Sequence, residues 1–268
     1  MGRVLSYYKR EGDKVIEEYL SEHIKACINL LSKFNGSKIE RTGTFLNKNF
    51  FDSVRLSIIF HDLGKVFYWR REGEDTIYFT GHEVFSAYIL RKFEKDLKRK
   101  KLDELEEISK ILKPALFAVA FHHHPMSIEE RLKKINERMK WIRFTPTCLD
   151  DLKHELSYLD NILNTEEKML LNNVLDNIKR SIEERQLRIE DVKQGFHDID
   201  KEIFQYFISK SDTDVALKKL SYLTLTALVC VDYISASEIR GGKTRFSDVV
   251  EDFYRFYMKE ELPKILKK

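Results

Sequence analysis

Turn-forming residues are scarce in this chain: 10 Gly and 4 Pro stand among 268 residues. That is about 5% of positions, where roughly 12% is usual. A sandwich or barrel of many short strands needs frequent turns, so the scarcity argues against one and favours long helices. A 43% hydrophobic share beside 34% charged residues excludes a disordered or low-complexity chain.

Other classes fall away on similar grounds. No uninterrupted apolar run approaches the roughly 18 residues of a membrane helix; even the largely apolar stretch Thr224–Val231 is far shorter. The N-terminus, MGRVLSYYKREGDKV, lacks the apolar core of a signal peptide, so a cytoplasmic protein with no membrane partner is expected. Cys27, Cys148 and Cys230 are odd in number and never spaced as CxxC, which disfavours disulfides and a cysteine zinc site. A net charge of +3 is compatible with a polyanionic partner without demanding one. Gly241-Gly242-Lys243-Thr244 imitates the end of a nucleotide-binding P-loop, but its first glycine would fall on Ser237, so none is present.

Apolar periodicity predicts the elements. Val15, Ile16, Tyr19, Leu20, Ile24, Cys27, Leu30 and Leu31 recur at helical steps, so one helix is expected over Lys14–Ser32, with His23 in its apolar stripe. A second starts near Asn49–Asp52, is apolar nearly all round and should be central; Gly64 ends or bends it. Asp75–Thr80 reads as a short extended piece before a helix over His82–Lys95. Ile111–Phe121 is a buried helix, with Pro125 marking its exit. The stretch from about 127 to 209 is charged and amphipathic, a helical layer or insertion within one domain spanning 1–268, with a loop near Phe144–Thr147. Leu217–Ser235 is the last long apolar helix.

Five of the eight histidines fall at the ends or starts of apolar helices: His61, His82, His122, His123 and His124. Consecutive helical residues diverge by about 100°, so His61-Asp62 can serve two neighbouring metal ions, the carboxylate bridging and the imidazole binding one. His122-His123 can supply two nitrogens to one ion, and His82 a third. Asp232 is a lone acid in an apolar run, and an unpaired buried carboxylate is expensive; a metal is an economical partner. His197-Asp198 follows no apolar helix and His154 sits on a polar face, so both are set aside. The Lys92–Lys101 run reads first as a solvated helix face.

The string His61-Asp62-Leu63-Gly64-Lys65 resembles the HDxGK signature of the HD superfamily of metal-dependent phosphohydrolases. More specifically, the chain is similar to the HD nuclease of type I CRISPR interference, in the form separate from its helicase. The order Glu22-His23, His61-Asp62, Gly81-His82-Glu83 with Ser86, His122-His123, then Asp232 in VCVDYISASE carries the resemblance across residues 22 to 238. It implies an all-α orthogonal helical bundle of the HD type, with room for a short hairpin or extended pieces. It implies that His23, His61, Asp62 and Asp232 hold one metal, and that Asp62, His82, His122 and His123 hold a second, with Asp62 as bridge. Lys65 would contact or orient the scissile phosphate. Two departures stand out. The residue after the histidine pair is usually small and is His124 here, so a 123/124 pair stays open; and the family's Asp-x-x-Ala-Ser string is stretched to Asp232-Tyr233-Ile234-Ser235-Ala236-Ser237.

Two clustered cations activate water and clamp phosphate oxygens in phosphodiester hydrolysis. Imidazole-rich ligation favours Mn2+, Fe2+, Co2+ or Ni2+ over Mg2+, which prefers oxygen. The resemblance implies single-stranded DNA, or RNA, as substrate, cut as endonuclease and exonuclease, with a separate ATP-dependent helicase subunit and a guide-RNA surveillance complex as partners. The main alternative is an HD phosphohydrolase of nucleotides or nucleoside monophosphates. A non-catalytic, metal-stapled scaffold is a third class, with only the charged 127–209 layer in its favour.

Overall fold

The computed structural model describes residues 2–69, 73–123, 127–240 and 245–258. Pro125, His124 and the stretch 241–244 lie outside these residues. Among the described residues are eleven α-helices and one two-stranded sheet, so the fold is all-α with a single hairpin.

The centre is α3 (Phe50–Phe60), which buries Phe50, Ser53, Val54 and every residue from Leu56 to Phe60. Apolar nearly all round, with Asp52 and Arg55 as its polar edge, it must be enclosed. Burying Val54, Leu56, Ile58, Ile59 and Phe60 contributes about 1.5–3 kcal/mol each before chain entropy is counted. The enclosing helices are α1 (Leu20–Leu31), α2 (Lys38–Leu46), α4 (His82–Lys100), α5 (Leu105–Phe121) and α10 (Asp212–Arg240). Firm packing of α3 fixes the chain that leaves it, which is the His61-Asp62 turn.

The structure corrects the expectation of one helix over Lys14–Ser32. Lys14–Tyr19 is a strand, β2, paired antiparallel with β1 (Leu5–Glu11), and the helix begins only at Leu20. Gly12 makes the tight turn between them with φ +61°. In the strand Val15 points to solvent and Glu18 points inward, the reverse of the helical reading. Residues 75–77 run beside the other edge of β1: Arg10 N–H donates to the Asp75 carbonyl at 2.7 Å, and Lys9 bridges Thr76. Long-range pairing outweighs a local helical period here.

Other boundaries move outward. Helix α4 runs to Lys100 rather than Lys95, because Lys98, Arg99 and Lys100 complement the negative end of its dipole. Helix α5 starts at Leu105 rather than Ile111, with Glu106 and Glu107 in its first turn and Pro114 inside it. The last long helix spans Asp212–Arg240 instead of Leu217–Ser235. That helix is long and apolar enough on average to cross a membrane; it packs on α1, α3 and α5 as a core helix and carries Asp232 among them.

The charged stretch forms α6 (Ile128–Glu137), α7 (Pro146–Ser157), α8 (Thr165–Glu183) and α9 (Ile189–Ile208). Ser127 and Asn164 start α6 and α8 with capping boxes to Glu130 and Glu167. Helices α8 and α9 cover α4, and α7 packs on the turn after Asp62. Helix α11 (Arg245–Phe253) and a π-helical turn, Tyr254–Met258, follow α10.

Candidate metal centre

After Phe60 the chain turns through His61 and Asp62 into a 3-10 turn, Leu63–Phe67. Gly64 makes the turn possible. A Cβ there would lie 2.1 Å from the His82 carbonyl oxygen and 2.9 Å from the Ser86 nitrogen. Its N–H donates to Ser86 Oγ at 2.8 Å, so the missing side chain and Ser86 together seat the turn on the start of α4. Gly81, at φ +92°, directs the chain into α4 so that His82 opens the helix beside Asp62.

Three imidazoles are held alike. The Nδ1–H of His61 donates to the Ile58 carbonyl at 2.7 Å, that of His82 to Phe79 at 2.6 Å and that of His122 to Val119 at 2.9 Å. Each bond leaves the Nε2 lone pair for the interior. The Nε2 atoms of His61 and His122 are buried without a hydrogen-bond partner among the described residues. Buried polar atoms are rarely left so, because the cost is about 1–3 kcal/mol each. The Nε2 of His82 is 2.8 Å from Asp62 Oδ1 and 3.3 Å from His123 Nε2. Acceptors converging without donors between them fit a bound cation.

The ligand atoms fall into two groups, each lying within 4.8 Å of one another: His82, His122 and His123 in one, His23, His61 and Asp62 in the other. Asp62 stands between them. Its Oδ1 faces His82, whereas Oδ2 lies 3.5 Å from His61 Nε2 and 3.7 Å from His23 Nε2. Asp232 Oδ1 lies 3.1 Å from His23 Nε2 and 3.9 Å from His61 Nε2. Lys65 Nζ donates to Asp62 Oδ2 at 2.6 Å and to the Ser6 carbonyl at 3.1 Å. The fold thus brings together His23, His61, Asp62, Lys65, His82, His122, His123 and Asp232. His154 and His197-Asp198 belong to neither group, and His124, the other candidate for the pair, lies outside the described residues.

Burial sets the charge states. It pushes the His122 imidazole well below the usual range, His123 to about 4 and His61 downward, leaving all three neutral and able to bind metal. Burial works against the Asp62 and Asp232 carboxylates as well, yet neighbours hold both well below normal: His61, Lys65 and His82 around Asp62, His23 and His61 around Asp232. His23 differs from those three. Burial opposes its charge too, but Cys27, Asp232 and Glu18 hold its pKa well above the usual value.

Sequence reasoning missed several residues. Glu18 of β2, fully buried, accepts from His23 Nδ1 at 2.9 Å and is itself gripped by Arg240 at 2.7 and 3.0 Å. Such carboxylates orient ligand histidines and raise their basicity. Glu22, which precedes His23 in the sequence, faces solvent, 3.8 Å from Arg3. Only the inward alternation of β2 signals Glu18. Ser6 on β1 donates to Asp62 Oδ2 at 3.2 Å. Arg131 of α6, wholly buried, donates to the Ala120 and His123 carbonyls at 2.7 and 2.8 Å and lies 3.5 Å from Glu83. It ties the end of α5, and so the histidine pair, to the charged layer. A recess of about 350 Å³ opens over His82 and His123, walled by Ser6, Tyr7, Lys65, Phe79 and Arg240.

Neither curated proteins nor solved structures give a significant match to the chain. The family model for the HD domain matches residues 21–191, well over half of the length. The matched span covers the site from His23 to His123 and leaves Ser6, Glu18, Asp232 and Arg240 outside it. HD domains are typically metal-dependent phosphohydrolases, and the two ligand groups suit that chemistry. With its HDLGK turn seated on α4 and its histidines facing one another across Asp62, the chain belongs to the HD-domain family.

Proposed function

We propose that this HD domain is a metal-dependent nuclease that hydrolyses phosphodiester bonds of single-stranded DNA, or of RNA, in CRISPR interference. In this reading it works beside a separate ATP-dependent helicase and a guide-RNA surveillance complex. The observation that carries it is the pair of adjacent ligand groups that meet at Asp62, with His82 and His123 lining a recess. His23, His61, Asp62 and Asp232 would hold one divalent ion, and Asp62, His82, His122 and His123 a second. Ions held there supply Lewis acidity toward phosphate oxygens and a water of lowered pKa. The imidazole-rich donor set favours Mn2+, Fe2+, Co2+ or Ni2+, with Mg2+ as a weaker fit.

The chain's own groups do the rest. Backbone carbonyls hold the His61, His82 and His122 rings in one tautomer, so little reorganisation is needed when substrate arrives. The Lys65 ammonium, at the recess wall, is bonded to Asp62 and Ser6 and would contact the scissile phosphate by exchanging a Ser6 bond for a phosphate oxygen, or orient it through Asp62. A flexible single strand can bend into such a recess, whereas a stacked duplex must first be opened.

Labelled single-stranded DNA, duplex DNA, RNA and a nucleotide panel, each incubated with protein and Mn2+, test the reading. Single strands should be cut and duplex left largely intact without a helicase, with binding weakening as salt rises. Equal rates on blunt duplex and single strand would overturn the division of labour. Hydrolysis of nucleoside monophosphates with oligonucleotides untouched would favour the alternative, an HD phosphohydrolase of nucleotides.

A further inference from the structure

The wall of the recess opposite the histidines is built by residues outside the HD match: Ser6 and Tyr7 from the N-terminal hairpin and Arg240 from the end of α10. Two cations reach it. Lys65 belongs to the HD turn and is occupied by Asp62 and both oxygens of Ser6. Arg240 is held differently: its Nε and Nη2 both grip Glu18 Oε2, and Nη2 also lies 3.4 Å from Ser6 Oγ. Its Nη1 makes no hydrogen bond among the described residues, and the side chain keeps 21% of its surface exposed. One edge of the guanidinium is anchored on a buried carboxylate while the other is left to the recess. An arginine so anchored is pre-organised for a phosphate oxygen.

Aromatic rings flank both cations. The Arg240 guanidinium lies 4.7 Å from the Tyr7 ring, and Lys65 Nζ 5.3 Å from the Phe79 ring. Both rings are half-buried and line the same recess. Rings beside cations in a groove are how proteins take nucleic-acid single strands without regard to sequence, base on ring and phosphate on cation.

We infer that the hairpin and the end of α10 form a second phosphate subsite beside the metal centre. In it Arg240 takes the phosphate next to the scissile one, and Tyr7 with Phe79 takes the intervening base. The ligand class is therefore an oligonucleotide with at least two phosphates, since a mononucleotide places its single phosphate at the metals and leaves Arg240 unused. This rests on the phosphodiester reading above.

The test is binding of fluorescein-labelled pentathymidylate in EDTA across a salt series, alongside Mn2+-dependent cleavage of the same oligonucleotide. Arg240→Gln should weaken binding at least about fivefold and flatten the slope of log K against log salt by about 0.7, the loss of one single-strand phosphate contact. Arg240→Lys should keep the slope. Tyr7→Ala should weaken binding several-fold with the slope unchanged, because a stacked base carries no charge. If Arg240→Gln binds with the wild-type slope, or wild-type protein does not bind pentathymidylate, the subsite is wrong and Arg240 serves only to hold Glu18. Wild-type protein that binds with the expected signature but does not cut the strand would keep the subsite and overturn the nuclease reading instead.

Discussion

Asp62 and His82 stand 2.8 Å apart, Oδ1 to Nε2, because Gly64 has no side chain to hold the HD turn away from the start of α4. The other carboxylate oxygen of Asp62 faces His61 and His23. One side chain thus touches both ligand groups, and its removal is the most economical way to disable the site. Asp62→Ala should lower Mn2+-dependent hydrolysis by well over the roughly 100-fold upper range seen for outer hydrogen-bond partners of metal ligands. The helical circular dichroism should persist, since α3 carries the packing. Retention of a tenth of wild-type rate would remove Asp62 from the centre of the chemistry.

Glu18→Gln tests the grip on His23. The amide keeps the shape but loses the charge that orients the imidazole and pairs with Arg240. Mn2+ affinity, measured by titration calorimetry, should fall by about 10–100-fold. On the proposed two-ion arrangement, the weaker binding should appear in the ion held by His23 and leave the ion of His82, His122 and His123 near its original strength. Unchanged affinity for both would assign Glu18 to packing alone.

Arg131 couples the charged layer to the histidine pair. Arg131→Met removes the donors to the Ala120 and His123 carbonyls and leaves Glu83 buried beside an apolar group. Breaking a buried pair from one side typically costs about 3–5 kcal/mol, read from urea denaturation. Adding Glu83→Gln should recover part of the loss, since the stranded charge goes with it. A single-variant loss below about 1 kcal/mol would mean the pair adds little, as for surface ion pairs.

The metal-free protein should lose stability in mild acid. His61, His122 and His123 have depressed pKa values in the folded state, so the unfolded chain takes up protons that the folded chain refuses. Their contribution is full above the ordinary value of 6.5 and is lost as pH falls toward about 4. His23, whose pKa is raised, acts oppositely: its contribution is full below 6.5 and is lost as pH rises through its folded value. Below 6.5 the His23 contribution is already full and constant, so the three depressed groups set the trend across the acid window. Asp62 and Asp232, held low, add a further loss only below the ordinary carboxylate value of 3.8. Urea midpoints in EDTA that stay level or rise between pH 6.5 and pH 4 would contradict this balance.

Much of the candidate site was legible in the sequence, for a physical reason. His61, Asp62, His82, His122 and Asp232 sit at the ends of apolar helices or within one, where an ionisable group needs a partner, and the fold brings them to one place. The HDLGK glycine was legible as a helix stop but not as a contact; its function is to leave room for the His82 carbonyl. The hairpin was not legible, because the spacing of Val15, Ile16 and Tyr19 suits a helix until β1 and residues 75–77 are present to pair with that segment. Glu18 followed the hairpin out of sight.

By itself the sequence determined that the chain is helical, which segments must be buried, and which histidines and aspartates interrupt them. Those are local properties: turn content, apolar period and the cost of burying charge act within a few residues of one another. Tertiary structure alone decided that Glu18 backs His23, that Ser6 donates to Asp62, that Arg131 ties down the end of α5, and that Arg240 faces the recess. Hydrogen bonds and ion pairs act over about 3–4 Å in space. Partners as far apart in the chain as His23 and Asp232, or Glu18 and Arg240, meet only when α10 packs against α1 and the hairpin.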